Sequence, residues 1–354
     1  MSDNDEAVDE LFCKQLPKVE LHAHLNGSIS DLCLLDLLEK KKIENFHTAS
    51  TVIRKGDQRS MEECFDIFSI LHELVDDVES LKAVTNCVLN EFMNDNVVYL
   101  ELRSTPRANP KKNLTKRLYI ETILDCIKNH NYKHQDKMVV RFLPSVDRSK
   151  PIAEAWENVK LAEEYFRSSD CLVPGIDLSG NPYSYTNNGE DIIHPLLYAK
   201  NIGLKLAVHM AEVEDKELEW KSFLELPPDR IGHGTYLKSN QELSCLVKEK
   251  KIPLEICVTS NVKTKTAPSD VKHHHIGWWI NDFSDPSHPC ILCTDDMGIF
   301  STSLSHEYYS VASAFNISKD ELFALSLNSA NYIFADESTK SDLKTYISLR
   351  YESL

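Results

Sequence analysis

No stretch of this chain approaches the about 20 consecutive apolar residues that a membrane-crossing helix needs, so no span is expected. Positive charge is in short supply: 39 Lys and Arg face 55 Asp and Glu, a net charge of −16. That balance argues against nucleic acid or an anionic membrane as a partner held by bulk electrostatics. A phosphorylated ligand would need local cations working against the global field. An apolar leader is missing too. The start, Met1-Ser2-Asp3-Asn4-Asp5-Glu6, is acidic, and no secretory signal is expected. Pro-, Gly- or Ser-rich linkers, low-complexity segments and repeats of fixed period are absent. The 354 residues therefore read as one domain over 1–354, with an acidic tail over 1–15. No G-x-G-x-x-G follows the first strand-like run, which weakens a dinucleotide-binding reading. Ten cysteines are scattered along the chain, and Cys87, Cys126, Cys257 and Cys293 sit inside apolar runs. Without a secretory signal they read as reduced core thiols of a cytoplasmic protein. Cys290 and Cys293 have C-x-x-C spacing but lie on a strand-like run, and are read as buried rather than as a zinc or redox pair.

What is present is an alternation. Short apolar runs beginning near Val19, Val97, Met138, Val173, Leu204, Arg230, Pro253 and Cys290 read as strands, and helical stretches follow them. Asp31 to Lys42 is a predicted helix with Ser30 or Asp31 as cap. Met61 to Leu74 and Ser80 to Asn94 are two more, and His273 to Asp282 is a further expected helix. Eight strand–helix units point to parallel strands with crossover helices. The predicted fold is α/β: a (β/α)8 TIM-type barrel of the metal-dependent hydrolase kind, with extra helices after the first and last strands. A doubly wound sheet is the alternative.

In such a barrel, chemistry belongs just past the C-terminal ends of the strands. The unusual residues fall there. His22 and His24, two apart on the first strand, share one face. Arg103-Ser104-Thr105-Pro106-Arg107 ends the second strand, Asp147-Arg148 the third, and Asp177 to Asn181 the fourth. His209-Met210-Ala211-Glu212 ends the fifth, His233 the sixth, Thr259 to Lys263 the seventh, and Thr294-Asp295-Asp296 the eighth. Three imidazoles (His22, His24, His209) and one aspartate make a ligand set suited to Zn²⁺ with a water. Zinc lowers the pKa of such a water from 15.7 to about 7. His233 could take or hold the water's proton, Glu212 could donate one to the substrate, and the second aspartate could hold the water. Together these describe hydrolytic attack on an sp² carbon.

Five motifs carry a family resemblance: Leu21-His22-Ala23-His24-Leu25, Gly175 to Gly180, Val208-His209-Met210-Ala211-Glu212, Arg230-Ile231-Gly232-His233-Gly234 and Thr294-Asp295-Asp296. With these in order from about Leu16 to Ala335, the chain resembles the adenosine/AMP deaminase family of barrel hydrolases. The resemblance implies one Zn²⁺ per chain on His22, His24, His209 and Asp295. It also implies that Glu212 protonates N1 of a purine, that His233 assists the attacking water, that Asp296 aligns it, and that the Gly180 amide meets N3.

The family's nucleoside-specific members carry Asp where this chain has Asn26. A carboxylate about 4 Å from a phosphate charge would repel it by roughly 4 kcal/mol at an effective dielectric near 20, whereas an amide offers donors. Asn26 therefore hints at a 5′-monophosphate, with Arg103, Arg107, Arg148 and Lys263 as available cations. Asn26, His72 and the Ser104 to Arg107 run are similar to a subgroup that hydrolyses N6-methyl-AMP. That likeness implies a substrate site of His24, Asn26, His72, Ser104, Thr105, Pro106, Arg107, Asp147, Gly180 and Asp296. The expected enzyme is a cytoplasmic monomer that removes methylamine or ammonia from C6 of a small purine nucleotide, with no nucleic-acid or membrane partner. An adenosine deaminase acting on the free nucleoside is the alternative. A barrel that binds nucleotide without turnover is a third reading, and the presence of Glu212, His233 and Asp296 argues against it. The run His273-His274-His275 is read as structural or rim material, because three consecutive side chains diverge at a helix start. Residues 43–80 are a candidate lid by position.

Overall fold

Eight parallel strands, paired in sequence order, form the centre of the molecule: β1 Lys18–His24, β2 Val97–Ser104, β3 Val139–Asp147, β4 Gly175–Ser179, β5 Lys205–Met210, β6 Arg230–His233, β7 Leu254–Ile256 and β8 Cys290–Leu292. The computed structural model describes residues 7–43, 52–54, 57–134, 136–168, 171–183, 191–280 and 288–354. Helix α1 (Glu10–Gln15) precedes the sheet, and α2 (Asp31–Lys41), α3 (Met61–Leu74) and α4 (Val78–Asn94) fill the first crossover. One helix follows each of the next five strands: α5 (Lys116–His134), α6 (Ile152–Phe166), α7 (Ile193–Asn201), α8 (Glu217–Glu225) and α9 (Gln241–Glu249). Helices α10 (Val258–Lys263) and α11 (Ile276–Trp279) lie between β7 and β8, and α12 (Leu304–Phe315), α13 (Lys319–Ser329) and α14 (Glu337–Tyr351) come last. The expected barrel is present, with its extra helices in the expected places.

The ring closes through a narrow seam. The Asp295 amide donates to the His22 carbonyl (2.8 Å) and the His24 amide donates to the Asp295 carbonyl (2.9 Å). Glu20 reinforces the join: its carboxylate accepts from the His22 amide on one side and from the Thr294 amide and hydroxyl on the other. Strand alternation divides β1 between two environments. Val19 and Leu21 pack outward with Ile291, Ile333 and Ile347, while Glu20, His22 and His24 face the barrel interior.

Local sequence explains the element ends. Ser30 caps α2 by accepting from the Cys33 amide. Ser60 with Glu63, and Ser318 with Glu321, form reciprocal capping boxes on α3 and α13. Two expectations fail at their edges. The strand predicted to run to Val258 stops at Ile256, and α10 begins at once, with the Asn261 amide donating to the Cys257 carbonyl. Tertiary position overrides the β-branched pair Val258-Thr259 there. The helix predicted from His273 to Asp282 is reduced to α11, and Asp282 lies outside the described residues. So do residues 1–6 of the predicted tail and residues 44–51, 55 and 56 of the predicted lid. All ten cysteines are free thiols, Cys290 and Cys293 among them.

The barrel interior is charged. Arg103 donates to Asp177 (3.1 Å), Glu255 and the Leu21 carbonyl. Arg230 donates to Glu255 (2.6 Å), to Glu101 and to the Tyr332 carbonyl (2.7 Å). All five charged side chains are fully buried. Burial would raise both Asp177 and Glu255, but their cationic and imidazole neighbours outweigh it and hold both carboxyls well below the usual range. Removing one member strands the others, at a cost of about 3–5 kcal/mol. Glu255→Leu is therefore expected to lose about that much in urea or guanidinium unfolding. A loss below 1 kcal/mol would show that the network does not hold the barrel.

Candidate active site

Four side chains from three strand ends converge at one mouth of the barrel. His22 and His24 come from β1, His209 from β5, and Asp295 from the turn after β8. One ligand atom from each lies within 4.8 Å of all the others. The nearest pairs are His24 Nε2 to His209 Nε2 at 3.1 Å, His22 Nε2 to His24 Nε2 at 3.3 Å, and both β1 imidazoles to Asp295 Oδ1 at 3.4 Å. Ligands 2.0–2.1 Å from a tetrahedral Zn²⁺ would be spaced by roughly 3.3–3.4 Å. The donor set and its spacing fit such an ion. The outer nitrogen of His22 is held as metal-bound imidazoles usually are, 2.8 Å from Glu255, and His209 Nδ1 lies 3.1 Å from the Asp177 carboxylate. Ser260 donates to Asp295 Oδ2 at 2.7 Å. Burial and the neighbouring His209 push His24 down to about 3, leaving it a neutral donor atom.

Glu212, His233 and Asp296 surround this cluster. His233 Nε2 lies 3.9 Å from Glu212 Oε1 and 4.0 Å from Asp295 Oδ2. Burial raises the Glu212 carboxyl above its usual range despite Arg148 Nη2 3.6 Å away. Burial, with the Asp295 charge beside it, raises Asp296 well above its usual value. Asp296 Oδ1 is buried without a hydrogen-bond partner among the described residues, as suits a group awaiting a water. Gly27 makes room for it, since a Cβ there would fall 1.7 Å from Asp296 Oδ1. Three non-glycine residues at these strand ends take left-handed backbone: Ala211 (φ 56°), His233 (φ 62°) and Asp295 (φ 64°). Such conformations cost about 1–3 kcal/mol each and persist where the surroundings impose them.

A cavity of about 160 Å³ lies beside the cluster. Met61, Cys64, Phe65, Phe68 and His72 of α3, within the stretch predicted as a lid, line one wall at helical spacing. Asn26, Ser104, Thr105, Asp147 and Gly180 line it as well, whereas Pro106 and Arg107 do not. Arg107 donates to Asn26 Oδ1 (3.3 Å) and lies 5.6 Å over the Tyr119 ring. A guanidinium only donates, so the Asn26 amide nitrogen faces the Ser104 and Tyr119 hydroxyls, each at 3.4 Å. Burial and Arg107 push His72 down to about 3. Asp147 Oδ1 accepts from the Ser149 amide and hydroxyl. Gly180 (φ 98°) packs so close to it that a Cβ would fall 2.0 Å from that oxygen.

Three of the four cations suggested for a phosphate are committed elsewhere. Arg103 is inside the barrel. Arg148 donates to Glu219 (3.0 Å) and to the His209 carbonyl. Lys263 donates to the Ile53 (2.6 Å) and Phe300 carbonyls. Only Arg107 stands next to Asn26.

Residues 17–349 match the Adenosine deaminase family. The chain belongs to the adenosine deaminase family. Among its relatives, the human protein named N6-Methyl-AMP deaminase is 46% identical over 337 residues, covering 94% of this chain and 93% of the relative. A solved structure described as the ADAL-IMP complex superposes with a TM-score of 0.86 at 37% identity, over 98% of this chain and 100% of the other. The crystal structure of Arabidopsis ADAL complexed with GMP gives 0.85 at 38% identity, over 96% and 98%.

Several residues that shape this adenosine deaminase family site escaped the sequence reading. Glu255 and Glu20 were overlooked, although each is a carboxylate between apolar neighbours on a strand. A charge so placed demands a buried partner. Asp177 was seen only as a strand-end group. Tyr119, on α5, carried no signal that the sequence could offer.

Proposed function

We propose that this chain hydrolyses N6-methyl-AMP to IMP and methylamine, using one bound Zn²⁺. The observation that carries the reading is the cluster of His22, His24, His209 and Asp295 with buried Glu212 and His233 beside it. The relatives, N6-methyl-AMP deaminases by name, point to the substrate. A bound zinc supplies an acidified water and a positive charge near the developing oxyanion. The protein's residues do the rest. Glu212, whose carboxyl burial raises above its ordinary range, donates to N1 and makes C6 electrophilic. Asp296 aligns the water and takes its proton as the oxygen joins C6, and His233 bonds that oxygen. The Gly180 amide meets N3. The C6–N6 bond then breaks as the proton held by Asp296 passes to the nitrogen, methylamine leaves, and the C6 hydroxyl proton returns to Glu212, which leaves the C6 carbonyl of IMP. Aromatic side chains of α3 shield the reacting centre from bulk water. Support for the 5′-phosphate comes from Asn26, whose oxygen is already occupied by Arg107 and whose side chain brings no charge. The buried thiols and the lack of any long apolar helix among the described residues fit a cytoplasmic setting, and we take the working unit to be a monomer.

A substrate panel tests this reading: N6-methyl-AMP, AMP, N6-methyladenosine and adenosine compared by kcat/KM. The nucleotide bearing the methyl group should be preferred, and a preference for adenosine overturns the proposal. Asn26→Asp is expected to lower kcat/KM for the nucleotide by at least about tenfold, since about 4 kcal/mol of repulsion is only partly offset by Arg107. Turnover of the free nucleoside should not fall. Equal losses on both would remove Asn26 from phosphate recognition.

A further inference from the structure

The run His273-His274-His275 does not lie on the rim as a unit. His273 is exposed beside Asp270, but His274 and His275 are buried, and they connect to His233, His275 directly and His274 through Asn261. Their hydrogen bonds form a chain whose direction is set at one end. The Ile276 backbone amide donates to His274 Nδ1 (3.2 Å). An amide N–H can only donate, so His274 Nδ1 accepts and its proton sits on Nε2. His274 Nε2 is 3.2 Å from Asn261 Oδ1, which must then be an acceptor. The Asn261 amide nitrogen, now oriented, donates to His233 Nδ1 (3.2 Å). With Nδ1 accepting, the one proton of His233 is on Nε2, the atom turned toward Glu212 and Asp295. His275 acts on the main chain of the same residue: its Nε2 lies 3.1 Å from the His233 carbonyl, where the backbone is left-handed. Burial drives His274 well below its usual value and His275 down to about 3, so neither carries a charge that would reverse the chain.

We propose that His274, acting through Asn261, holds His233 in the Nε2–H tautomer, so that His233 meets the attacking oxygen as a hydrogen-bond donor rather than as a proton acceptor. His274 and Asn261 are then positioning residues. The ring state does not depend on the substrate, whereas the catalytic consequence rests on the deaminase reading above.

The test uses full-length, zinc-loaded protein labelled with ¹⁵N-histidine. Long-range proton–nitrogen spectra report which ring nitrogen carries the proton, and His233→Ala identifies the His233 signals by their loss. Wild-type protein should show His233 protonated on Nε2. In Asn261→Asp the carboxylate accepts from both neighbours, so the proton should move to Nδ1. Steady-state turnover of N6-methyl-AMP by that variant should show kcat reduced about 10–100-fold, the usual range for groups that orient a metal site, with KM changed less than about threefold. His274→Leu should lose kcat similarly, and His274→Gln, which still offers an N–H to Asn261, should recover most of it. Equal thermal stability and zinc content in the two His274 variants separate this role from a packing defect. An Nδ1–H ring in the wild type overturns the proposal, as does full kcat in a folded, zinc-loaded His274→Leu. If N6-methyl-AMP proves not to be a substrate, the spectra still decide the tautomer.

Discussion

Glu212→Gln is expected to lower kcat for N6-methyl-AMP by about 10²–10⁴-fold, the range assigned to a positioned proton donor, with KM and zinc content close to wild type. Glutamine keeps the shape and the neighbour Arg148 but has no acidic proton to give to N1. The pH dependence follows in sign. Burial raises the Glu212 carboxyl above its ordinary value. The active, protonated form is therefore full at low pH, and kcat/KM should decline as pH rises through the raised value. Glu212→Gln should lack that decline. A variant with wild-type kcat would take proton donation away from this residue.

Asp295→Ala should abolish one equivalent of bound zinc and cost roughly four decades in kcat/KM, since several kcal/mol of charge stabilisation is lost with the ion. The variant also removes the acceptor of the Ser260 hydroxyl. Atomic absorption and a thermal shift give the decisive comparison. Zinc at about 100 times its Kd should stabilise wild-type protein by about 2.7 kcal/mol, and should leave the variant's melting point where it was. Retention of one zinc together with activity would show that the three imidazoles suffice.

The barrel was readable because parallel strands covered on both faces become short apolar runs, and because polar residues at their ends stand out against those runs. The His22-x-His24 spacing, His209 and the Asp295-Asp296 pair were legible for that reason. What failed was depth. Arg103 sits at a strand end and looked available to a phosphate. Alternation puts it on the face of Glu101, and that face turns inward. Strand identity says nothing about which buried acids will meet across a closed ring, so Glu255 and Asp177 could not be paired with Arg103 or with the imidazoles. The histidine run shows the same limit: His274 and His275 earn their place through Asn261 and the His233 carbonyl, contacts made by residues distant in sequence. Helix α10 was missed because Val258-Thr259 has the composition of a strand.

The seam between β1 and β8 has a consequence for how the protein is made. Its two backbone bonds are formed by His22, His24 and Asp295, so the staves that shut the cask are those that would grip the ion. On the ribosome the first stave emerges early and the last one late, with six others between them. Until Asp295 is out, the early imidazoles have no carboxylate and the sheet has two raw edges, a state prone to mispairing. Metal capture and ring closure should therefore coincide as one late step of biosynthesis.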